Sequence, residues 1–267
     1  MLTAVKNQLK VNLLSVKYSL MREMLNKTTF LMNIIFMILN NASFIIQWII
    51  LFSLRDNIGG YQLKHVLLLW ALTSTSYGFS HFFFKSAYKL SDTINTGKLD
   101  AFLVQPKNVL LGAITSEVSS SAIGDIIYGY TMLFISGCSL ENFFLFTWFS
   151  ITGCLITTSI AVILGSLGFW FNKSDLIADT GNNLMIQFST YPDGIFKGIV
   201  KVILYTIVPI GLSVYIPISI LVKFNLPLFL LVSFVSMGFV IFAFFIFHKC
   251  LKKYSSSNLM VARVWVY

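Results

Sequence analysis

The sequence predicts an all-α membrane protein with six transmembrane helices, on the basis of its composition, its long apolar runs and its distribution of positive charge. Of the 267 residues, 57% are hydrophobic and only 11% are charged, whereas about a quarter of the residues in an average soluble domain are charged. Lipid solvates the outside of a helix bundle, so a bilayer accommodates apolar surface that a soluble fold of this length could not hide.

Apolar runs long enough to cross a bilayer recur along the chain. A membrane-spanning helix needs about 20 mostly apolar residues. The clear candidates are residues 31–54, 66–84, 109–135, 143–171 and 226–247. Residues 176–222, between the last two runs, are more complicated because a polar stretch is followed by an apolar one that contains Pro209 and Pro217.

Lysine and arginine residues give the expected orientation of these spans. They precede the first run, follow the second and follow the last, at Lys6, Lys10, Lys17, Arg22, Lys27, Lys85, Lys89, Lys98, Lys107, Lys249, Lys252, Lys253 and Arg263. The connection at residues 136–142 has no such residue. The positive-inside bias therefore predicts cytoplasmic N- and C-termini, which requires an even number of spans. Six spans fit.

Two assignments of the fifth span remain open from hydropathy. In one, residues 199–222 cross the membrane and residues 172–198 are cytoplasmic. In the other, residues 176–191 cross it and residues 196–222 form a re-entrant hairpin that dips in from outside. The two prolines favour broken helices buried in protein, whereas Lys197, Lys201 and Lys223 would then lie outside.

The first 28 residues predict an amphipathic helix. Apolar side chains recur at steps of three or four, at Val5, Leu9, Leu13, Val16, Leu20 and Met24. Lys6, Lys10 and Lys17 lie off this stripe, which is typical of a helix in the membrane interface with its basic side near anionic headgroups. An arm that docks on another protein would have a similar pattern.

No residue pattern indicates catalysis, a metal site or nucleic-acid binding. The sequence lacks a glycine-rich phosphate loop ending in Lys and Ser or Thr, and its three histidines are isolated. Cys138, Cys154 and Cys250 have neither metal-ligand spacing nor the pattern of a disulfide framework. The net charge of +9 comes from lysines at the ends of apolar runs, where it sets orientation. We therefore expect no enzyme activity, no bound cofactor or metal, and no nucleic acid.

Polar residues inside the predicted spans are the candidates for a transport pathway, because burying them is costly. Glu117, Ser121 and Asp125 recur at steps of four beside a second row of small residues. They either line a polar cavity or belong to a tightly packed helix interface with hydrogen-bonded carboxylates. Asp179 and Asn183 belong to a second polar concentration, which faces protein or water if residues 176–191 span the membrane and is otherwise a cytoplasmic loop.

One loop carries a family resemblance. Residues 94–106 read INTGKLDAFLVQP, which resembles the I-x-x-G-x-L-D-x-x-L-x-x-P signature of a permease family within the ABC-2 exporters. Tyr191-Pro192, Pro209 and the Tyr215-Ile-Pro217 step resemble that family's later proline pattern. The resemblance covers most of the chain, from the basic N-terminal arm to the last span.

The resemblance implies a single transmembrane domain over residues 1–267 that couples to a separate ATPase subunit, which would bind the ATP and Mg²⁺. Residues 1–28 would be an interfacial elbow helix, residues 85–108 a cytoplasmic coupling loop, and residues 196–222 the re-entrant hairpin. The coupling residues would be Gly97, Lys98, Leu99, Asp100, Leu103 and Pro106. A second permease copy or a sister permease would complete the transporter, as a multi-pass protein of a bacterial cytoplasmic membrane.

Other functions are predicted to leave different signs. A secondary transporter would use Glu117 or Asp125 as a proton or cation site, and its transport would survive ATP depletion. An integral-membrane enzyme of lipid metabolism would be active without a partner. The phenylalanine-rich spans favour an amphipathic or hydrophobic substrate for an exporter, although the same composition suits exposure to lipid.

Overall fold

The computed structural model describes residues 2–137, 139–206 and 208–255, with side chains from residue 6 onward. Within these residues the regular structure is helical, and one isolated bridge joins Ile58 and Tyr61. Three helices are long and apolar enough to cross a membrane, namely Lys27–Leu54, Leu140–Phe169 and Leu226–Leu251. The described chain is therefore an all-α protein with membrane-spanning segments, as the composition predicts.

Twelve α-helices are present in the described residues. They are α1 Leu2–Glu23, α2 Lys27–Leu54, α3 Leu63–Phe84, α4 Leu90–Asn95, α5 Asp100–Leu103, α6 Val109–Ile114, α7 Ser121–Ile135, α8 Leu140–Gly165, α9 Ser174–Ser189, α10 Gly198–Thr206, α11 Ile216–Val222 and α12 Leu226–Leu251. Short 3-10 helices follow α3 and α8, at Lys85–Lys89 and Ser166–Phe169. A five-residue π-helix, Gly211–Tyr215, leads directly into α11.

Polar side chains set the starts of four of these helices. Asn26, Asn108 and Asn225 each accept a hydrogen bond from the backbone amide three residues later, and so does Ser139. Such a cap satisfies one of the amides that a helix N-terminus leaves without an intrahelical partner. Helices α2, α6, α8 and α12 therefore begin where the sequence places a polar cap before an apolar run.

Helix α3 is the centre of the bundle, and most of its length is buried. Helices α7 and α8 approach it closely because small residues stand at the contacts. A Cβ atom at Gly129 of α7 would overlap the Thr75 hydroxyl and the Ala71 carbonyl, and one at Gly153 of α8 would overlap Ser76. In a bilayer such close van der Waals contact is a main source of helix association.

Residues 109–135, predicted as the third span, do not form one continuous helix, because the helix is interrupted between Ile114 and Ser121. Within the break, the Val118 amide donates to the Ser19 hydroxyl of α1 at 3.1 Å, and the Ser120 hydroxyl donates to Glu23 at 2.7 Å. Serine side chains and a neighbouring helix thus offer this backbone an alternative to helical hydrogen bonds. Glu117 lies in the break and not on a transmembrane helix.

The two ends of the bundle can be named by their connections. The loop end carries residues 85–108, and the far end carries residues 55–62 between α2 and α3. Helix α9 runs from one to the other, since Ser174 hydrogen-bonds Ser91 at 2.6 Å at the loop end. Just beyond the other end of α9, the ring of Tyr191 lies 5.9 Å from that of Trp48.

Residues 198–222 begin and end at the far end. Helix α10 and the Gly211–Val222 segment are bent by 74° relative to each other. Leu221 and Val222 line a cavity together with Lys64 and Asn142, both of which lie at the far end. In the middle of the segment, Ser213 lies beside Gly153, about halfway along α8. Between Ser213 and Val222 the chain therefore runs from about the middle of the bundle to the far end.

Asp193 links this segment to its neighbours. Its carboxylate pairs with Lys201 at 2.8 Å and accepts a hydrogen bond from Tyr205 at 2.9 Å. Burial alone would raise the pKa of Asp193, but hydrogen bonds from Lys201, Tyr205 and Tyr61 outweigh it and hold the pKa below its ordinary value. The carboxylate is therefore charged at neutral pH and ties the start of α10 to the far-end connection.

Helix α1 lies along the loop end, beside the segment that joins residues 85–108 to α7. The Gln8 side chain accepts a hydrogen bond from the Asn108 amide at 2.9 Å, and Glu23 lies 4.0 Å from Lys85. Of the predicted apolar stripe, Val16 is buried, whereas Leu9, Leu13 and Met24 are exposed. The helix thus keeps much of its apolar stripe uncovered by the described chain.

Some predicted features lie outside the described residues, namely the side chain of Val5, Cys138 and Arg263. The other two cysteines, Cys154 and Cys250, are free thiols.

The close contact at Gly129 predicts the effect of a larger side chain. Gly129→Val should destabilise the bundle by about 1–3 kcal/mol, because the added atoms collide with Thr75 and Ala71. Gly238→Val is the matched control, since a Cβ at Gly238 of α12 meets no atom within 4 Å. Thermal unfolding of both variants in detergent measures the difference. Equal midpoints for the two variants would contradict the packing argument.

Candidate functional site

The loop end carries the segment with the family resemblance. After α3, the 3-10 helix Lys85–Lys89 and helix α4 lead to a turn at Gly97, whose φ is +74°. Residues other than glycine rarely adopt this left-handed backbone conformation. Gly97 thus reverses the chain between α4 and α5, which is the structural reason for a glycine at this position of the motif.

Leu99 anchors the turn to the bundle. Its side chain is fully buried in a cluster with Leu90, Ile94 and Leu110. Phe247 of α12 belongs to the same cluster. The sequence groups Leu99 with the residues that would contact a partner, but the side chain points inward and connects the loop to the transmembrane helices.

The two charged residues of the motif also have partners within the chain. Lys98 pairs with Asp92 at 3.1 Å. Asp100 accepts a hydrogen bond from the Tyr254 hydroxyl at 2.8 Å. Burial, together with this hydrogen bond, raises the pKa of Tyr254, so the phenol stays protonated and keeps donating. The chain just after α12 therefore stabilises the turn through this hydrogen bond.

The loop exposes four apolar residues after Leu99, and we refer to Ala101, Leu103, Val104 and Pro106 as the loop face. All four residues are exposed, with Leu103 at 39% and Val104 at 83% of their full accessible surface. Val104 was missed by the motif, in which it occupies a variable position. Its signal in the sequence is an apolar residue directly after Leu103.

A polar cluster lies between α2, α3 and α7. Asn41 donates to Oδ1 of Asp125 at 2.6 Å, and the Ser74 hydroxyl donates to the Asp125 carbonyl at 2.9 Å. Asp125 is only 8% exposed. Of the two readings of the serine and carboxylate rows, these contacts support a packed interface with a hydrogen-bonded carboxylate. Asp125 also lines a cavity.

This cavity is one part of a groove between α2 and α9, which we call the α2–α9 groove. Its inner part has an empty volume of about 620 Å³ and includes Asp125, Trp70, Tyr77 and His81. Its outer part, of about 950 Å³, extends past Phe44, Gln47 and Gln187. Both parts share lining residues at Asn40, Asn41, Trp70, Ile186 and Thr190. Polar side chains from two helices thus meet in an otherwise apolar bundle.

The other predicted pathway residues are divided between two places. Asp179 and Asn183 are exposed on α9. They precede the groove-lining Ile186 and Thr190 at helical steps of four, three and four, so all four residues share one face. Ser121 stands at the start of α7 and hydrogen-bonds Ser119 at 2.8 Å. Glu117 and Ser121 therefore belong to the break, whereas Asp125, Asp179 and Asn183 belong to the groove side of the bundle.

The long apolar helices define a polytopic helical membrane protein. Over residues 38–258 the chain matches the family model described as "ABC-2 family transporter protein". Since this match covers most of its length, the chain belongs to the ABC-2 transporter family, which confirms the resemblance of the loop motif. No curated protein and no solved structure matches the chain.

The backbone at Gly97 predicts an order of stability among substitutions there. Gly97→Val should cost about 1–2 kcal/mol because a β-branched residue is strained at positive φ. Gly97→Asn should cost less, because asparagine visits this conformation more readily. Thermal midpoints of the purified variants measure the order. A valine variant as stable as the asparagine variant would contradict the assigned turn.

Proposed function

We propose that the chain is the permease subunit of an ATP-driven ABC exporter, powered by a separate ATPase subunit that binds the ATP and Mg²⁺. The observation that carries this proposal is the loop face, an exposed apolar surface at the loop end. Exposed apolar patches of this kind mark interaction sites. Family membership supports an ATPase subunit as the partner.

The internal contacts of the loop suit a coupling role. Leu99 joins the loop to the same cluster as Phe247 of α12, and Tyr254 joins it to the chain after α12. Movement of an ATPase subunit against Leu103 and Val104 would therefore be transmitted to the transmembrane helices by packed contacts. A loop without contacts to the helices could not bias the bundle between two arrangements in this way.

In the proposed topology, α2, α3, α6 with α7, α8, α9 and α12 are the six spans of a protein in the cytoplasmic membrane of a bacterium. The course of α9 from the loop end to the far end supports its assignment as the fifth span. Residues 198–222 begin and end at the same end of the bundle, and this supports the re-entrant hairpin. The lysines at the loop end support cytoplasmic N- and C-termini.

A second permease copy or a sister permease is part of the proposal. The outer surface of α2 is apolar and exposed at Phe36, Leu39 and Ile46, and the adjoining groove is open. A partner subunit on this side would enclose the groove and convert it into a pathway. The substrate would cross between the two subunits along the polar residues of α2 and α9.

A secondary transporter is the second candidate, and the position of Asp125 beside the groove is the observation that favours it. Such a transporter would move its substrate without ATP. Transport that persists in proteoliposomes without an ATPase subunit would support this candidate and contradict the exporter.

The loop face predicts a specific loss of partner binding. Leu103→Asp combined with Val104→Asp should abolish co-purification with the ATPase subunit and transport, because charges replace the apolar contacts, while the thermal midpoint stays near that of the wild type. Asn57→Asp is a control that adds charge at the far end and keeps the acceptor for the Gly60 amide. Undiminished ATPase binding by the double variant would contradict the proposed docking surface.

The topology predicts which positions react from outside the cell. In a cysteine-free background, Asn57→Cys and Lys197→Cys should react with an impermeant maleimide on intact cells, whereas Ala101→Cys should react only after permeabilisation. Lys197 decides between the two assignments of the fifth span. Labelling of Lys197→Cys only in permeabilised cells would contradict the re-entrant hairpin and favour a span at residues 199–222.

A further inference from the structure

We propose that the α2–α9 groove binds amphipathic organic cations, with Asp125 as their counter-ion and the aromatic rings of the groove as their apolar contact. This inference rests on the proposed function, since it names the class of substrate for the same pathway. It is carried by a buried carboxylate without a cationic partner, an aromatic wall and the absence of lysine, arginine and histidine from α2 beyond Lys27 and from α9.

Asp125 has no cationic partner among the described residues. Their ion pairs lie elsewhere, at Glu23, Asp92 and Asp193. Hydrogen bonds from Asn41 and Ser74 reach Oδ1 of Asp125, and no described residue donates to Oδ2. A buried charge without a partner is costly. The carboxylate is held in position with one oxygen still available to a ligand in the cavity.

The wall beside Asp125 suits a cation that carries apolar groups. The rings of Trp70 and Phe44 are stacked with centroids 5.1 Å apart, and Tyr77 lies on the same cavity. Cations bind favourably over such ring faces. The indole nitrogen of Trp70 has no hydrogen-bond partner in the described part of the chain, although the residue is only 6% exposed.

A second permease copy could not supply the missing positive charge through the same two helices. Residues 28–54 and 174–196 contain no lysine, arginine or histidine, whereas Asp175 and Asp179 add negative charge on α9. If a second copy covers the groove with its own α2 and α9, the enclosed pathway has negative groups and no basic ones from these helices. His81 of α3 also lines the inner part, but α2 and α9 would present a cationic substrate with no fixed positive charge.

The groove is also accessible to a ligand from outside. Its inner part lies beside Asp125. It continues into the larger outer part past the exposed Asn40. A charged group can therefore reach Asp125 while an apolar portion lies along Phe44 and Ile186.

Binding of two hydrophobic ions of equal size and opposite charge tests this inference. Tetraphenylphosphonium should bind the purified full-length chain in detergent at least about tenfold more tightly than tetraphenylborate. Asp125→Asn should remove that preference, because neutralising one member of a buried charge pair costs this much or more. Phe44→Leu should weaken phosphonium binding about threefold. Asp56→Asn, which makes the same charge change in an exposed connection, should bind like the wild type.

The outcome is separable from that of the proposed function. Equal affinity of the wild type for both ions, or unchanged phosphonium binding in a monodisperse Asp125→Asn variant, overturns the inference. If Asp125→Asn does not fold, the wild-type comparison of the two ions decides alone. Co-purification with the ATPase subunit is measured separately, so its failure would overturn the exporter without affecting the binding result.

Discussion

The close packing of α7 and α8 against α3 is the constraint on which the other features depend. Lipid tails are as apolar as the helix surfaces, so burial of apolar area does little to hold helices together in a bilayer. Gly129 and Gly153 lack side chains at the contacts, and this lets the neighbouring backbones come close to α3. The position of α3 in turn places Trp70 and Ser74 on the wall of the groove.

The same packing explains why polar residues are tolerated inside the bundle. Asp125 stands where α2, α3 and α7 meet, and Asn41 and Ser74 supply its hydrogen bonds. On a lipid-facing surface these groups would have no partners. A carboxylate in this position is held rigidly, which suits a site that must recognise charge without first reorganising.

The loop end and the groove are connected through α1 and the break before α7. Ser19 and Glu23 of α1 hold the broken segment through Val118 and Ser120, and Asp125 stands one turn further along α7. Lys85, which begins the 3-10 helix after α3, lies near Glu23 and donates to the Val118 carbonyl at 3.3 Å. The contacts of the loop end therefore continue without interruption to the start of the helix that carries Asp125.

Some of the fold follows from local sequence. The apolar runs predict membrane helices, polar caps such as Asn26 and Asn225 set where α2 and α12 begin, and Gly97 marks the turn of the loop. These features depend on each residue and its neighbours along the chain, because hydropathy, capping and backbone preference act over a few residues. The family resemblance rests on the same local pattern.

The tertiary structure decided what depends on residues far apart. The break at residues 115–120 requires donors and acceptors from α1, which an apolar pattern does not reveal. Leu99 turns inward and Val104 outward because the cluster around Phe247 is assembled from several helices. The groove forms where α9 lies beside α2. Asp125 could therefore be named from the sequence as a candidate, but its neighbours Asn41 and Trp70 could not. The sequence by itself determined a membrane helix bundle and its loop motif, and packing between distant segments decided which of their side chains face a partner or a ligand.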